Sequence, residues 1–220
     1  KWRRRSHPTT HTVIMSEQKI IEGDCLEIMK SFPDKFFDCV ITDPPYGLGI
    51  DGQKESFATN PKHNRKKHPF MGWDSKIPSK EYFYEMFRVS KNQIIWGGNY
   101  FVDYFTEGHK GWLVWDKGQR GLTMSDGELA YSSFDTALRI YTFNRGVLRT
   151  DGAFHPTMKP LELMRWCVEY SGAQTILDPF MGSGTTLLAA KGLYKDAIGI
   201  EISPKYCEIA RNRLAQQQLF

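Results

Sequence analysis

The chain lacks the sequence patterns that mark a membrane span, a secretion signal or a metal centre. Its 220 residues contain no run of about eighteen apolar residues, and the N-terminal stretch has no continuous apolar segment. The four cysteines stand apart, with no C-x-x-C pair and no paired histidine spacing. We therefore expect a soluble chain with reduced thiols, without a disulfide framework and without a bound metal. These cysteines are Cys25, Cys39, Cys167 and Cys207.

An excess of positive charge is also absent from most of the chain. The formal net charge is +4, but residues 1–14 carry four basic and no acidic residues, so the remainder is balanced. We expect residues 1–14 to be a disordered leader ahead of a start at Met15. Residues 15–220 suit one globular α/β domain with a full core, with no room for a second large domain. Contact with a nucleic acid would have to come from local patches.

The most informative motif is Asp43-Pro44-Pro45-Tyr46, which follows the largely apolar stretch 37–42. Two prolines fix the backbone and remove two donors, so the carbonyl groups of Asp43 and Pro44 stay available to a ligand NH2 group. The Tyr46 ring can stack on a flat ligand. The motif therefore predicts a pocket for a heterocyclic amine at a strand end. Taken alone, Asp-Pro-Pro is about as often only a strand that ends in a turn.

A second motif has the pattern strand, glycine turn, helix. Residues 175–177 are followed by Asp178 and then by the turn 180–185, which contains Gly182 and Gly184. We expect these glycines to lack Cβ where a cofactor lies against the loop, beside free N–H groups of the next helix. Glu201 ends another strand about twenty residues later, the spacing at which a carboxylate binds a ribose. A purely structural glycine turn is the alternative.

Together these motifs resemble the S-adenosylmethionine-dependent amino-methyltransferases of DNA, in the block order of the permuted β class. The resemblance takes in Gly23-Asp24-Cys25-Leu26 and His155-Pro156-Thr157-Met158-Lys159-Pro160, so it covers nearly the whole chain from 23 to 201. It implies a Rossmann-like α/β methyltransferase fold, with a mostly parallel twisted sheet and helices on both faces. It also implies S-adenosyl-L-methionine as the cofactor and duplex DNA, with one base flipped out, as the partner.

The resemblance assigns roles to individual residues. The implied catalytic residues are Asp43, Pro44, Pro45 and Tyr46. The implied cofactor pocket consists of Asp24, Cys25, Asp43, Thr157, Lys159, Asp178, Phe180, Gly182, Ser183, Gly184, Thr185 and Glu201. Within it, we expect the ribose on Glu201, the adenine ring near Asp24 and Cys25, and the methionine end toward Thr157 and Lys159.

Two segments are candidates for DNA contact. The first, near residues 47–78, is polar and follows the catalytic block, and a solvated connection is the alternative. The second, near 116–135, contains Lys117, Gln119 and Arg120, of which Arg120 is the candidate contact. The basic residues proposed for the first segment are Lys62, Arg65, Lys66 and Lys67.

The resemblance favours N6 of adenine as the methylated atom, because members that act on cytosine more often carry serine in place of Asp43. Methylation of cytosine N4, of RNA or of a protein amide remains open, as does a catalytically silent DNA-binding module. A homodimer and a cognate restriction endonuclease are further candidate partners. The family implies a cytoplasmic enzyme of a bacterial or phage-infected cell.

The hydrophobic pattern alternates between strands and helices. It predicts strands near 19–22, 38–42, 93–97, 112–115, 137–143, 175–177 and 197–201. It predicts helices over 26–31, 80–90 and 160–171, from Thr185, and from Ser203-Pro204. This alternation indicates a mostly parallel sheet, with Asp43 and Asp178 at the carboxyl ends of strands.

Overall fold

The computed structural model describes residues 16–48, 77–105, 108–121, 125–144 and 158–216. Within these ranges it contains eight strands and five α-helices. In chain order they are β1 (Gln18–Glu22), α1 (Cys25–Met29), β2 (Phe37–Thr42), α2 (Lys80–Val89), β3 (Ser90–Trp96), β4 (Trp112–Asp116), β5 (Gly127–Ser132), β6 (Arg139–Thr142), α3 (Leu161–Ser171), β7 (Thr175–Asp178), α4 (Thr185–Gly192), β8 (Asp196–Glu201) and α5 (Pro204–Ala215). Two short 3-10 turns, Gly98–Tyr100 and Val102–Tyr104, follow β3.

The eight strands form one sheet in the order β1-β8-β7-β2-β3-β5-β4-β6. Each neighbouring pair from β1 to β3 is parallel, β5 runs antiparallel to both β3 and β4, and β4 is parallel to β6. The prediction of a mostly parallel sheet is therefore confirmed.

Helices cover both faces of this sheet, as predicted. Successive residues of a strand point to opposite faces, and the central strand β2 shows the result. Cys39 and Ile41 pack in a buried cluster with side chains of α3, α4 and α5. Val40, between them, packs in a second cluster with side chains of α1 and α2. Near-continuous apolar strands such as β2 are typical of a sheet that is buried on both sides.

The chain changes direction across the sheet between β7 and β2. From β7 it passes through α4 to β8 on one side, and from β2 it passes through α2 to β3 on the other. Ligands of open α/β sheets bind in the crevice at such a switch point, outside the carboxyl ends of the strands. Asp43 directly follows β2, and the glycine turn directly follows β7, so both motifs lie at this crevice.

The main difference from the sequence expectations is β5. The candidate DNA segment 116–135 is not a continuous loop, because Gly127–Ser132 pairs with β3 and β4. Glycine, glutamate and alanine in this stretch weaken its intrinsic strand signal, and cross-strand packing overrides it. In addition, β3 begins at Ser90, earlier than predicted, and β6 is shorter than predicted.

Several predictions lie partly or wholly outside the described residues. These are the leader 1–14, most of the segment 47–78 with Lys62, Arg65, Lys66 and Lys67, and Thr157. Within the part of the chain that the structure describes, no helix is long and apolar enough to cross a bilayer. The same ranges contain no group of three or more His, Cys, Asp or Glu residues that could hold a metal ion.

Candidate active site

The candidate catalytic motif is organised around the carboxylate of Asp43. The Tyr46 hydroxyl donates a hydrogen bond to Asp43 Oδ1. Lys159 Nζ donates to Asp43 Oδ2 at 2.6 Å and to the Tyr46 hydroxyl oxygen at 3.1 Å. The fold therefore brings Lys159, just ahead of α3, against the residues that follow β2. The sequence had associated Lys159 with the methionine end of a cofactor, and the structure joins it to the carboxylate of Asp43.

Burial controls the charges of this cluster. It raises the pKa of Asp43, an effect that the Lys159 cation only partly reverses. Burial also raises the pKa of Tyr46 well above its ordinary value, so Tyr46 is a neutral hydroxyl that can donate. Burial would lower the pKa of Lys159, but the nearby carboxylates of Asp43 and Glu128 outweigh it and raise that pKa. Lys159 is therefore a buried cation that depends on its two anionic partners.

The Tyr46 ring is fixed by the segment after β3. Gly97 has a φ of 71°, and a Cβ built on it would lie 2.1 Å from Tyr46 Cε1. The Tyr100 ring stacks on Tyr46 with centroids 4.9 Å apart and planes at 18°, while Phe101 meets it at 62°. Glycine is required at position 97 both by the backbone and by this contact. The sequence analysis did not single out Gly97, since only the fold brings it to Tyr46.

A second ion pair extends the cluster into β5. Glu128 Oε1 lies 2.8 Å from Lys117 Nζ, and Glu128 Oε2 lies 3.0 Å from Lys159 Nζ. The latter contact is an ion pair without hydrogen-bond angles, since Oε2 accepts no hydrogen bond. Burial would raise the pKa of Glu128, but Lys159 and Lys117 outweigh it and lower that pKa to about 2. Lys117 is buried, so its place in the candidate DNA segment does not make it a phosphate contact.

Asp178 joins the two sides of the crevice. Its Oδ1 accepts hydrogen bonds from Thr42 Oγ1 at 2.7 Å and from the Phe180 N–H at 3.1 Å, and its Oδ2 accepts from Thr186 Oγ1 at 2.5 Å. Burial outweighs these bonds and raises the pKa of Asp178 to about 6. Because both oxygens bind protein groups, this geometry favours a role in shaping the turn for Asp178, which the sequence had placed in the cofactor pocket.

The two glycines of the turn have different surroundings. Gly182 has a φ of 50°, and a Cβ on it would meet no atom of the described residues within 4 Å. Gly184 has a φ of 81°, and its Cβ would lie 2.9 Å from Cβ of Ala210 in α5. Gly182 thus leaves open space beside the loop, whereas Gly184 is needed for helix packing; contact of either glycine with a cofactor remains a prediction. Glu201 closes the loop, since its carboxylate accepts from the N–H groups of Gly182 at 3.0 Å and Ser203 at 2.8 Å.

Arg213 of α5 supports the same turn, and the sequence analysis missed it. Its guanidinium donates to the Ser183 carbonyl at 2.6 Å, to Ser183 Oγ at 2.9 Å and to Thr185 Oγ1 at 3.2 Å. Burial lowers the pKa of Arg213 to about 10. Ser183 Oγ also lies 3.3 Å from Met158 Sδ, which joins the end of segment 155–160 to the turn. The turn is therefore held from two sides.

The ends of β1 and β8 meet beside the turn. The Gly23 N–H donates to the Glu201 carbonyl at 2.9 Å, and the Asp24 carboxylate caps the first turn of α1. The Tyr82 hydroxyl lies 3.3 Å from both Asp24 oxygens, and the Tyr82 ring lies 5.9 Å from the Phe180 ring. Cys25 is buried, and burial raises the pKa of its thiol, which makes it unreactive.

Arg120, the remaining candidate DNA contact, is exposed. Its guanidinium binds both carboxylate oxygens of Asp116, at 2.8 and 3.0 Å, and this pair lowers the pKa of Asp116 to about 2. Asp116 is the last residue of β4, and the buried Lys117 directly follows it. Contact of Arg120 with DNA remains a prediction.

Comparisons with known proteins agree with this geometry. Residues 110–212 match a family model described as DNA methylase. A methylase named YubD of Escherichia coli (strain K12) is 27% identical over 217 residues, which cover 91% of each chain. The Type II methyltransferase M.HpaI of Haemophilus parainfluenzae is 25% identical over 246 residues, covering 90% of this chain and 74% of that protein.

A solved structure supports the fold. The crystal structure of the M1.HpyAVI-SAM complex aligns with a TM-score of 0.57 and 24% identity, covering 89% of this chain and 99% of that one. This likeness confirms the Rossmann-like α/β architecture that the sequence motifs predicted. The family match over residues 110–212 and the two relatives agree with the resemblance to DNA methylases that the sequence motifs carry.

Proposed function

We propose that the protein transfers a methyl group from S-adenosyl-L-methionine to the N6 amine of an adenine that is flipped out of DNA. One observation carries this proposal, namely that the Asp43 cluster and the open glycine turn lie on neighbouring strands of one crevice. The hydrogen bond between Thr42 and Asp178 links the two strand ends directly. An amine held at Asp43 would therefore lie next to a cofactor held at the turn.

The residues of the turn suit this cofactor. The space beside Gly182 accommodates a ligand close to the backbone, and the Glu201 carboxylate borders it as an acceptor for ribose hydroxyl groups. Asp24 and the neighbouring rings of Tyr82 and Phe180 offer a polar edge and flat faces to an adenine ring. When bound, S-adenosyl-L-methionine supplies an electrophilic methyl group on a sulfonium.

The protein's own part in the reaction is to orient the target amine. The Asp43 carboxylate and the Pro44 carbonyl can accept its two hydrogens, which favours a pyramidal nitrogen with its lone pair directed outward. Tyr46 offers an aromatic surface to the base, which recovers part of the few kcal/mol that base flipping costs. Orientation of this kind can account for several orders of magnitude in rate.

Both oxygens of Asp43 already carry partners, the Tyr46 hydroxyl and Lys159. A target amine must therefore exchange with one of them before it can be held. Because the site is buried, each donor that leaves must find another acceptor or water. Access to Asp43 is thus part of the catalytic cycle.

The choice of adenine rests on the aspartate at position 43, because the family motif with serine there is more often linked to cytosine N4. The order of the blocks supports the β class. For the duplex, we propose phosphate contacts by Lys62, Arg65, Lys66 and Lys67 and a contact by Arg120 near the groove. These assignments do not depend on the arrangement around Asp43. If they prove wrong, the proposed role of Asp43 is not affected.

The test is transfer of labelled methyl from S-adenosyl-L-methionine to mixed-sequence duplex DNA, followed by mass spectrometry of the nucleosides. N6-methyladenine is the expected product. N4-methylcytosine would keep the mechanism and overturn the choice of base. Absence of product with intact cofactor binding would instead favour an RNA substrate or a silent module.

A pair of variants tests the catalytic assignment. Asp43→Ala should abolish methyl transfer and leave the fold intact. Asp34→Ala is the matched control, because the Asp34 side chain is exposed and pairs with Arg88. Asp34 precedes β2 and Asp43 follows it, so the two residues lie at opposite ends of that strand. Activity that survives in Asp43→Ala would contradict the assignment.

A further inference from the structure

Four charged side chains form a continuous chain of ion pairs that ends at Asp43. Lys117 pairs with Glu128, Glu128 with Lys159, and Lys159 with Asp43, at nitrogen to oxygen distances of 2.8, 3.0 and 2.6 Å. Two cations alternate with two anions, so the formal charges cancel. Lys117 and Lys159 are buried, and Glu128 and Asp43 are partly exposed. The members come from the ends of β2 and β4, from β5 and from the segment before α3.

Lys159 has more acceptors than a single cation needs for an ion pair. Its Nζ binds Asp43 Oδ2 with hydrogen-bond geometry and lies 3.0 Å from Glu128 Oε2 without it. The two carboxylate oxygens therefore compete for one ammonium group, one from the end of β2 and the other from β5. A small rotation of the Lys159 side chain would strengthen one contact and weaken the other.

This competition bears on how a ligand reaches Asp43. An isolated buried ammonium would lose its counter-ion if it left Asp43, which is costly in a poorly solvated site. With Glu128 at 3.0 Å, Lys159 can leave Asp43 Oδ2 and remain paired. Lys117 in turn keeps Glu128 from attracting Lys159 too strongly. The balance between these two pairs sets how firmly Lys159 holds the catalytic carboxylate.

We propose that Glu128, backed by Lys117, is a positioning residue that shares Lys159 with Asp43 and thereby keeps one Asp43 oxygen exchangeable for the target amine. The inference rests on the proposed function for its catalytic meaning. The sharing itself is a property of the protein alone and can be measured without DNA or cofactor.

The titration of Asp43 reports the balance. The charged or titratable groups that face it are Lys159, Glu128, Tyr46 and, across the crevice, Asp178. Glu128 and Asp43 both contact the same nitrogen, so their nearest oxygens lie within about 6 Å, where a like charge raises a pKa. Removing the Glu128 charge should lower the Asp43 titration midpoint. Removing the Lys117 charge should raise the Asp43 midpoint for two reasons. A nearby cation is lost, and Glu128 then draws Lys159 away from Asp43.

The experiment is a carbon-13 NMR titration of the aspartate side-chain carboxyl carbons, with the Asp43 resonance assigned from an Asp43→Asn spectrum. Glu128→Gln should move the midpoint down and Lys117→Met should move it up, each by about one pH unit. The double variant keeps the cluster neutral and should return within a few tenths of a unit of wild type. Lys117→Arg keeps the charge and should leave the midpoint in place.

Two exposed variants provide matched controls. Glu27 and Lys30 form an ion pair of 2.6 Å on α1, and both side chains are exposed. Glu27→Gln and Lys30→Met make the same chemical changes and should leave the Asp43 midpoint unchanged. If Glu128→Gln does not fold, the upward shift in Lys117→Met and the unchanged midpoint in Lys117→Arg still decide the question.

The outcomes separate this inference from the proposed function. Unchanged midpoints in both single variants, or shifts in the same direction, would mean that Glu128 and Lys117 only hold β4 against β5. Shifts of opposite sign, matched by shifts of the acidic limb of the methyl-transfer pH profile, are the expected result. The wild-type protein could also show no methyl transfer while the two variants shift the NMR midpoint in opposite directions. That result would refute the proposed function and leave the sharing of Lys159 established.

Discussion

The contact between Gly97 and Tyr46 gives the sharpest prediction about the catalytic motif. In Gly97→Ala the new Cβ would lie 2.1 Å from Tyr46 Cε1, whereas ordinary contact begins at 3.4 Å. The ring must therefore retreat by more than about 1 Å, carrying with it the hydroxyl that binds Asp43. A displacement of that size near the reacting groups costs on the order of 100-fold in rate.

Two effects lower the stability of the same variant. A residue with a Cβ at a φ of 71° costs roughly 1–2 kcal/mol, and the overpacked ring adds about 1–3 kcal/mol. We expect the free energy of unfolding in urea to fall by about 2–5 kcal/mol, with a folded protein remaining. Single-turnover methyl transfer at saturating cofactor then isolates the effect on chemistry.

Gly172→Ala is the matched control. Gly172 caps the end of α3 with a φ of 61°, and within the part of the chain that the structure describes a Cβ there would meet no atom within 4 Å. This variant should lose only the roughly 1–2 kcal/mol of backbone strain and keep its rate within a few-fold. The reasoning fails if Gly97→Ala transfers methyl groups as fast as Gly172→Ala, or if both lose activity alike.

Two further predictions concern the turn after β7. Because burial raises the pKa of Asp178 from 3.8 to about 6, the folded state keeps this proton to higher pH than the unfolded chain. Its stabilising contribution is complete below about pH 4 and is lost as the pH rises through about 6. The unfolding free energy of wild type relative to Asp178→Asn should therefore fall by about 2 kcal/mol between pH 4 and pH 7, and a constant difference would contradict this. Arg213→Met removes the donor to Ser183 and Thr185 and should weaken cofactor binding, measured by calorimetry, about tenfold. Arg211 is exposed, so Arg211→Met is the control and should leave the affinity unchanged. Equal affinities in the two variants would exclude a role of Arg213 in supporting the turn.

The sequence predicted the parallel part of the sheet well because local signals there agree with the fold. β2 is largely apolar and is followed closely by a proline pair, and α5 begins at Pro204 directly after its N-cap residue Ser203. β5 escaped prediction because Glu128 points a charge into a buried site, which no local pattern distinguishes from a solvated loop. Its partners are 11 and 31 positions away in sequence and meet it only in the folded sheet.

The residues of the candidate site likewise fall into those that local motifs predict and those that only the fold reveals. Asp43, Tyr46 and Gly182 carry their chemistry in short motifs, and the structure brings those motifs to one crevice. Gly97 and Arg213 act through single contacts with distant residues, and a lone glycine or arginine carries no motif. What the sequence cannot supply is therefore the set of residues that hold the motif residues in place.

The pairing of β1 with β8 has a consequence for the order in which the site can form. These strands align from Gln18 with Ala197 to Glu22 with Glu201, and the Gly23 N–H closes the pairing on Glu201. Asp24 and Glu201 can therefore become neighbours only after nearly all of the described chain has been synthesised. Contacts of such long sequence separation make folding slow. During synthesis, the residues that follow β2 can therefore meet α2 and β3 well before Glu201 reaches Asp24.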